Sequence, residues 1–300
     1  MKAITRIEQS LAAAIALGED GSCPPRLAGA IHHAVFPGGA RIRPQICLAV
    51  AQACGEDDPL LADATAIALE LLHCASLAHD DLPCFDNADM RRGRASVQWA
   101  YGPALAVLAG DALIVRAFQT LAMGACHSPL RLPGLMATVG AGVGTPGGIV
   151  AGQAWESESR VVLADYQRAK TGALFVAATM GGAQAAGADP EPWRALGDGL
   201  GLAYQVADDI RDAAADPALI GKPVGRDVAL GRPSAVTQLG LEGALAHFRG
   251  LIAQAADAIP DCEGGSGLRQ LVLGESERLI PASMAEALRQ RAALSAIVSA

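Results

Sequence analysis

Aromatic side chains make up only 4% of this 300-residue chain. With Ala and Leu abundant, that scarcity favours helix over strand. No stretch alternates with period 2 in β-branched residues, so no sheet is expected. The seven cysteines (Cys23, Cys47, Cys54, Cys74, Cys84, Cys126 and Cys262) include no C-x-x-C pair. That pattern excludes a zinc knuckle or disulfide framework and predicts reduced thiols in a cytoplasmic protein. No basic stripe is present and the formal net charge is −8, which argues against nucleic-acid binding but leaves room for anionic substrates carried with metal ions. No uninterrupted apolar run reaches the length of about 18 residues of a membrane span, so no transmembrane helix is expected. The N-terminal segment is acidic and amphipathic, unlike a signal peptide. No Pro/Ser-rich linker and no internal repeat divides the chain. A single all-α domain over residues 1–300 is the expected fold class.

What is present supports that expectation. Apolar residues reach 51%, enough for a substantial core. Helical patterns cover roughly residues 3–18, 25–35, 40–54, 59–77, 103–123, 147–162, 164–184, 191–213, 241–258 and 281–297. Gly142–Gly147 spells G-x-G-x-x-G, but the preceding residues read as helix rather than strand. A loop between helices therefore fits better than a dinucleotide fingerprint.

Two acidic clusters, about 130 residues apart, carry the functional information. The first is His79-Asp80-Asp81-Leu82-Pro83-Cys84-Phe85-Asp86, followed by Arg91-Arg92-Gly93. It ends an apolar helix, where carboxylates oppose the macrodipole and call for a cation. Pro83 breaks the helix between Asp80 and Asp86, so the loop can fold both toward one Mg²⁺. Arg91 and Arg92 supply guanidinium forks that match phosphate oxygens. A solvated acidic turn is the plain alternative. His73 lies seven residues before Asp80, on the same helical stripe; a satisfied core histidine is its ordinary reading.

The second cluster is Gln205-Val206-Ala207-Asp208-Asp209-Ile210-Arg211-Asp212. Asp208 and Asp212 share one helical face and repel unless a cation joins them. Beyond it come Gly221-Lys222, Asp227 and Arg232. Lys170-Thr171-Gly172 lies within an apolar helical run, where a buried Lys would need an anionic partner or would snorkel to solvent. Near the N-terminus, Gly38-Gly39-Ala40-Arg41-Ile42-Arg43-Pro44 places two guanidiniums at a helix start, which attracts anions.

Taken together, GGARIRP, HDDLPCFDNADMRRG, Gly152-Gln153, KTG, YQVADDIRD and GK-x-x-G-x-D make the chain resemble the trans-isoprenyl diphosphate synthases over almost its whole length. It is most similar to the bacterial geranylgeranyl diphosphate synthases of carotenoid and bacteriochlorophyll pathways. The resemblance implies a helical bundle with a central cavity and the two aspartate motifs facing across its mouth. Asp80, Asp86, Asp208 and Asp212 would then bind Mg²⁺, three ions with substrate present, with Asp81, Asp209 and Asp227 as further ligands. Arg91, Lys170, Thr171, Gln205 and Lys222 would hold an allylic diphosphate. Arg43, His73 and Arg92 would hold isopentenyl diphosphate. A homodimer is implied. The chain departs from the family at Ala40, where Lys is common and Arg41 could compensate, and at Arg232, where Lys is common.

The small residues Ala75 and Ser76 stand where farnesyl-producing relatives carry a bulky aromatic. At about 1.5 Å per residue, Ala75 lies roughly 7.5 Å below Asp80. This favours a C20 product over C15, with Leu71 and Leu72 as candidate floor residues. Alternatives are a farnesyl diphosphate synthase, a non-catalytic partner subunit, a terpene cyclase or a plain metal-binding bundle. The intact Asp-Asp-x-x-Asp second motif speaks against a cyclase, and both intact motifs speak against an inactive partner.

Overall fold

The computed structural model describes residues 3–18, 22–36, 38–160, 162–214, 234–281 and 283–286. Thirteen α-helices are described: α1 (Ala3–Ala16), α2 (Pro25–Val35), α3 (Ile42–Ala53), α4 (Pro59–Asp80), α5 (Val97–Tyr101), α6 (Pro103–Gly124), α7 (Leu132–Val143), α8 (Ile149–Trp155), α9 (Leu163–Gln167), α10 (Ala173–Ala185), α11 (Arg194–Ala214), α12 (Ala235–Asp257) and α13 (Gly265–Leu279). A π-helical turn, Arg168–Gly172, joins α9 to α10.

Helix α4 is the central post. Asp58 caps it by accepting a hydrogen bond from the Leu61 amide at 3.2 Å, and Pro59 opens its first turn, the arrangement that favours helix initiation. Its run of Ala, Leu and Ile is buried on nearly every face because α6, α3 and α10 pack around it. One contiguous apolar cluster extends from Ile7 on α1 to Ala285. The helix stops at Asp80, where the chain turns through Leu82-Pro83. There the amides of Asp86 and Ala88 donate to the carbonyls of Asp80 and Asp81 at 2.9 and 3.0 Å. Those bonds satisfy helix-end acceptors and fold the loop back on itself.

Several expectations change. The all-α fold holds, but strands Met90–Arg91 (β1) and Arg94–Ala95 (β2) form a small antiparallel hairpin. Two residues per strand are too few to show a period. The segment expected as helix over 147–162 ends at Trp155, where serines and glutamates replace the apolar pattern. Helix α13 was not expected, since glycines at 264, 265 and 267 mask its start. Helix α12 begins at Ala235, six residues early, and is kinked at Gly240. The expected helix 281–297 lies largely outside the described residues. Residues 142–148 run from the end of α7 into a loop before α8, as the context of the glycine motif suggested.

Helices α4 and α6 are both 22 residues long and apolar enough to cross a membrane by length and composition, but neither is an uninterrupted apolar run, since Asp63 and Glu70 interrupt α4 and Asp111 and Arg116 interrupt α6. The most apolar window of α4 is 72% buried inside the structure, as befits a core helix, whereas that of α6 is only 33% buried.

Candidate active site

The folded-back loop after α4 sets Asp86 beside Asp80. Carboxylate oxygens of Asp80, Asp86 and Glu156 all lie within 4.8 Å of one another. Three oxygen donors that close suit a hard divalent cation such as Mg²⁺. The two neighbouring aspartates split their roles. Asp80 faces this cluster, while the Asp81 side chain is 2% exposed and accepts from Nε and Nη2 of Arg91 at 2.9 and 2.5 Å. Burial pushes the Asp81 carboxyl up, with Arg91 opposing. Burial works against the charge of Arg91 too, but Asp81, Asp80 and Asp86 together outweigh it and raise its pKa. Arg91 also stands 3.5 Å from Asp80.

The hairpin aims its arginines. Arg92 and Gly93 both have positive φ, 54° and 74°, the two-residue turn that matches strand twist. Arg91 falls on the Asp81 side. Arg92 donates from Nη2 to His73 Nε2 at 3.3 Å.

Opposite Asp80, Lys170 projects from the π-helical turn and donates to Glu156 at 2.6 Å and Asp80 at 3.4 Å. Glu156 further accepts from Tyr166 Oη at 2.6 Å and Gln153 Nε2 at 3.0 Å. The turn is held between two glycines: a Cβ at Gly152 would stand 2.4 Å from the Lys170 amide nitrogen, and one at Gly201 2.6 Å from the Gly172 Cα. Any larger residue would displace the turn and Lys170 with it.

The second acidic cluster sits on the C-terminal part of α11. Thr171 Oγ1 donates to Gln205 Oε1 at 3.0 Å, and Gln205 Nε2 donates to Asp209 at 3.1 Å. Asp209 also accepts from the Ala235 amide at 2.8 Å, tying α11 to the start of α12. Asp208 pairs with Arg211, whose guanidinium lies 5.4 Å from the centroid of the Tyr204 ring. Asp212 is one turn further along and half-buried.

A cationic pocket adjoins these groups. The Arg43 guanidinium stacks over Phe175 and Tyr204, 4.6 and 5.6 Å from the ring centroids. Arg43 is only 8% exposed, and its Nε has no hydrogen-bond partner among the described residues. Burial lowers its pKa; Tyr204, Glu70 and Asp208 act the other way. His73 is held well below the usual imidazole range, first by burial and then by Arg43 and Arg92. A buried guanidinium beside a neutral imidazole and a second arginine is a site matched to an anion of high charge.

The structure thus brings Asp80, Asp86, Arg91 and Lys170 into one group, and Arg43, His73 and Arg92 into another. Thr171, Gln205 and Asp209 form a hydrogen-bonded chain. Lys222, Asp227 and Arg232 lie outside the described residues. Asp81 and Asp209, expected as further metal ligands, are engaged by Arg91 and by the Ala235 amide. Arg41 does not take the place of a lysine at Ala40, because its Nε, Nη1 and Nη2 all donate to protein groups. His79 turns to α6, donating to the Val107 carbonyl at 3.2 Å. Sequence reasoning missed Glu156; only its place three residues after Gln153, one helical turn, hinted at it.

Comparison with known proteins agrees with this geometry. The polyprenyl synthetase family profile matches residues 24–262. The geranylgeranyl diphosphate synthase of Cereibacter sphaeroides is 51% identical over 280 residues, covering 93% of this chain and 97% of its own. That of Rhodobacter capsulatus is 52% identical with the same coverage. Among solved structures, a geranyltransferase from Helicobacter pylori, complexed with magnesium and isoprenyl diphosphate, is 28% identical. It superposes with a TM-score of 0.75 over 92% of this chain and 97% of that one. With the carboxylate cluster, the interleaved cations and these matches over most of its length, the chain belongs to the polyprenyl synthetase family.

Proposed function

We propose that this protein is a prenyltransferase that condenses isopentenyl diphosphate with allylic diphosphates and delivers geranylgeranyl diphosphate, the C20 product. The observation that carries this reading is that a carboxylate cluster (Asp80, Asp86 and Glu156) occurs together with a buried Arg43 guanidinium, whose Nε has no hydrogen-bond partner among the described residues and whose charge is favoured by Asp208 of the second cluster. A metal-binding bundle would need the carboxylates alone.

Asp80, Asp86, Asp208 and Asp212 are assigned to three Mg²⁺, with Glu156 added to the first group. When bound, those ions offset the charge that develops on the leaving diphosphate. Arg91 and Lys170 donate to the same diphosphate, joined by Thr171, Gln205 and Lys222. Arg43, His73 and Arg92 fix isopentenyl diphosphate so that its double bond lies against the allylic carbon as the C–O bond breaks. Orientation of the two partners supplies a large share of the rate. The double bond forms the new C–C bond to that carbon, the resulting cation loses a proton to the departed diphosphate, and no covalent protein nucleophile is needed.

The product grows along α4. Ala75, Leu71 and Leu72 are all buried there, and the small Ala75 is assigned as the position that lets the chain pass. The enzyme is further assigned as a cytoplasmic homodimer supplying carotenoid-type pathways. The weakly buried α6 supports the dimer, since Leu108, Val115 and Met123 are exposed on it, an apolar face that a second copy would cover.

The test is incubation with Mg²⁺, isopentenyl diphosphate and a C5, C10 or C15 allylic partner, with products separated by chromatography. A C20 product is expected. No condensation with any partner would overturn the enzyme reading, and a C15 endpoint would favour the farnesyl alternative. Ala75→Phe is expected to shift the endpoint toward C15; an unchanged C20 endpoint would remove Ala75 from the tunnel assignment.

A further inference from the structure

Arg41 is one of the most deeply buried charged residues described, with a side chain 0% exposed. Its backbone is left-handed, φ 52° and ψ 39°, at the N-terminal cap of α3. From there Nε donates to Glu8 on α1 at 2.8 Å, Nη1 to Glu70 on α4 at 2.7 Å, and Nη2 to the Val35 carbonyl ending α2 at 2.8 Å. Burial opposes the charge, but Glu8 and Glu70 outweigh it and hold the guanidinium above its usual pKa.

The chain before Arg41 lies on two guanidiniums. A Cβ at Gly38 would stand 2.0 Å from Arg41 Cζ, and one at Gly39 would stand 2.7 Å from Arg92 Cζ. Only glycines permit so close an approach. Two residues after Arg41 comes Arg43, whose stacking on Phe175 and Tyr204 depends on where α3 begins. Glu70 serves both arginines, since it bonds Arg41 and favours the charge of Arg43.

We propose that Arg41 is a positioning residue for the isopentenyl diphosphate half-site: it fastens the 38–41 turn to α1, α2 and α4, and so fixes where Arg43 and Arg92 stand. This rests on the reading that the Arg43–His73–Arg92 pocket holds isopentenyl diphosphate. Lysine at position 41 would keep the charge but not the planar fork that reaches three partners.

The test is steady-state kinetics with each substrate varied in turn, on Arg41→Lys, Glu8→Gln and, as a marker of the pocket, Arg43→Gln. Arg41→Lys and Arg43→Gln are each expected to raise KM for isopentenyl diphosphate roughly tenfold or more, with the allylic KM within about twofold. Glu8 is 38% exposed, so Glu8→Gln loosens one arm without threatening the fold; a selective rise of roughly twofold to threefold is expected. If Arg43→Gln acts selectively while Arg41→Lys and Glu8→Gln change both KM values equally, or neither, Arg41 only stabilises the fold and the proposal fails. If Arg41→Lys does not fold, Glu8→Gln alone decides. If Arg43→Gln leaves the isopentenyl KM unchanged, the pocket reading falls and the proposal falls with it.

Discussion

The two acidic clusters look alike in sequence and are built differently. In each, one member of an Asp-Asp pair serves the architecture. Asp81 is buried against Arg91, and Asp209 accepts the Ala235 amide that starts α12. Their neighbours do otherwise: Asp80 joins the carboxylate cluster and Asp208 pairs with Arg211. The first cluster, however, is assembled from three places in the chain: the end of α4, the loop to Asp86, and Glu156 just after α8. Lys170 then bridges to it from the π-helical turn. The second lies along one helix, and Asp208 is countered by Arg211 three residues on. A site drawn from several elements depends on tertiary packing, whereas a site on one helix depends on helical period alone.

The comparison is broken most severely by removing Asp80 and Asp208, the members proposed to bind metal. Asp80→Asn and Asp208→Asn are each expected to lower kcat by about two to three orders of magnitude if, as proposed, both hold the Mg²⁺ that offsets charge developing in the transition state. Equal losses in rapid-quench turnover would make the two clusters equal partners. A loss confined to Asp80→Asn would make the first one dominant.

Next in size is Glu156→Gln, which removes a cluster carboxylate and the closer partner of Lys170. A drop of about tenfold to a hundredfold in kcat is expected, together with a higher half-saturating Mg²⁺ concentration. Unchanged Mg²⁺ dependence by titration would reduce Glu156 to a holder of Lys170.

The architectural members separate on stability instead. Asp81→Asn leaves Arg91 short of its buried partner and should cost about 2–3 kcal/mol in urea denaturation, since Arg91 keeps some contact with water. Asp209→Asn weakens a hydrogen bond to a helix start and should cost about 1 kcal/mol. Similar values for both would erase the distinction between a buried ion pair and a helix-start contact.

The smallest effect concerns His73. Its folded pKa lies well below the ordinary 6.5, so near and below that pH the unfolded chain binds the proton first. Stability is therefore full above about 6.5 and falls as pH drops toward the folded value. His73→Gln should flatten that part of a stability–pH curve measured by denaturation, and an unaltered slope would show that another group carries it.

Much of the site was legible because its chemistry is local. Asp208 and Asp212 share a face by helical period, and Asp80 with Asp86 needed only a proline-broken turn between them. The anion affinity of the Arg91-Arg92 pair was readable from residue type. Glu156 was not, because nothing in a helical pattern says which distant lysine a glutamate will meet. The β1–β2 hairpin was too short for periodicity to register. Arg41 was read as a guanidinium at a helix start that could compensate for Ala40, yet its side chain is engaged by Glu8, Glu70 and the Val35 carbonyl at the α1–α2–α4 junction.

The amino-acid order by itself determined the helical class, the central apolar post α4, the two acidic clusters and the family to which they belong. The first three follow from composition, period and short spacings, which act within a few turns of chain; the family follows from the resemblance of the ordered motifs to known relatives. Tertiary structure alone decided that Asp81 and Asp209 are tied to Arg91 and the Ala235 amide, that Glu156 joins Asp80 and Asp86, and that Arg41 is engaged while Arg43 Nε has no partner among the described residues. Those outcomes depend on which helices meet and on how burial raises the cost of an unpaired charge. No residue carries that information in its own sequence neighbourhood.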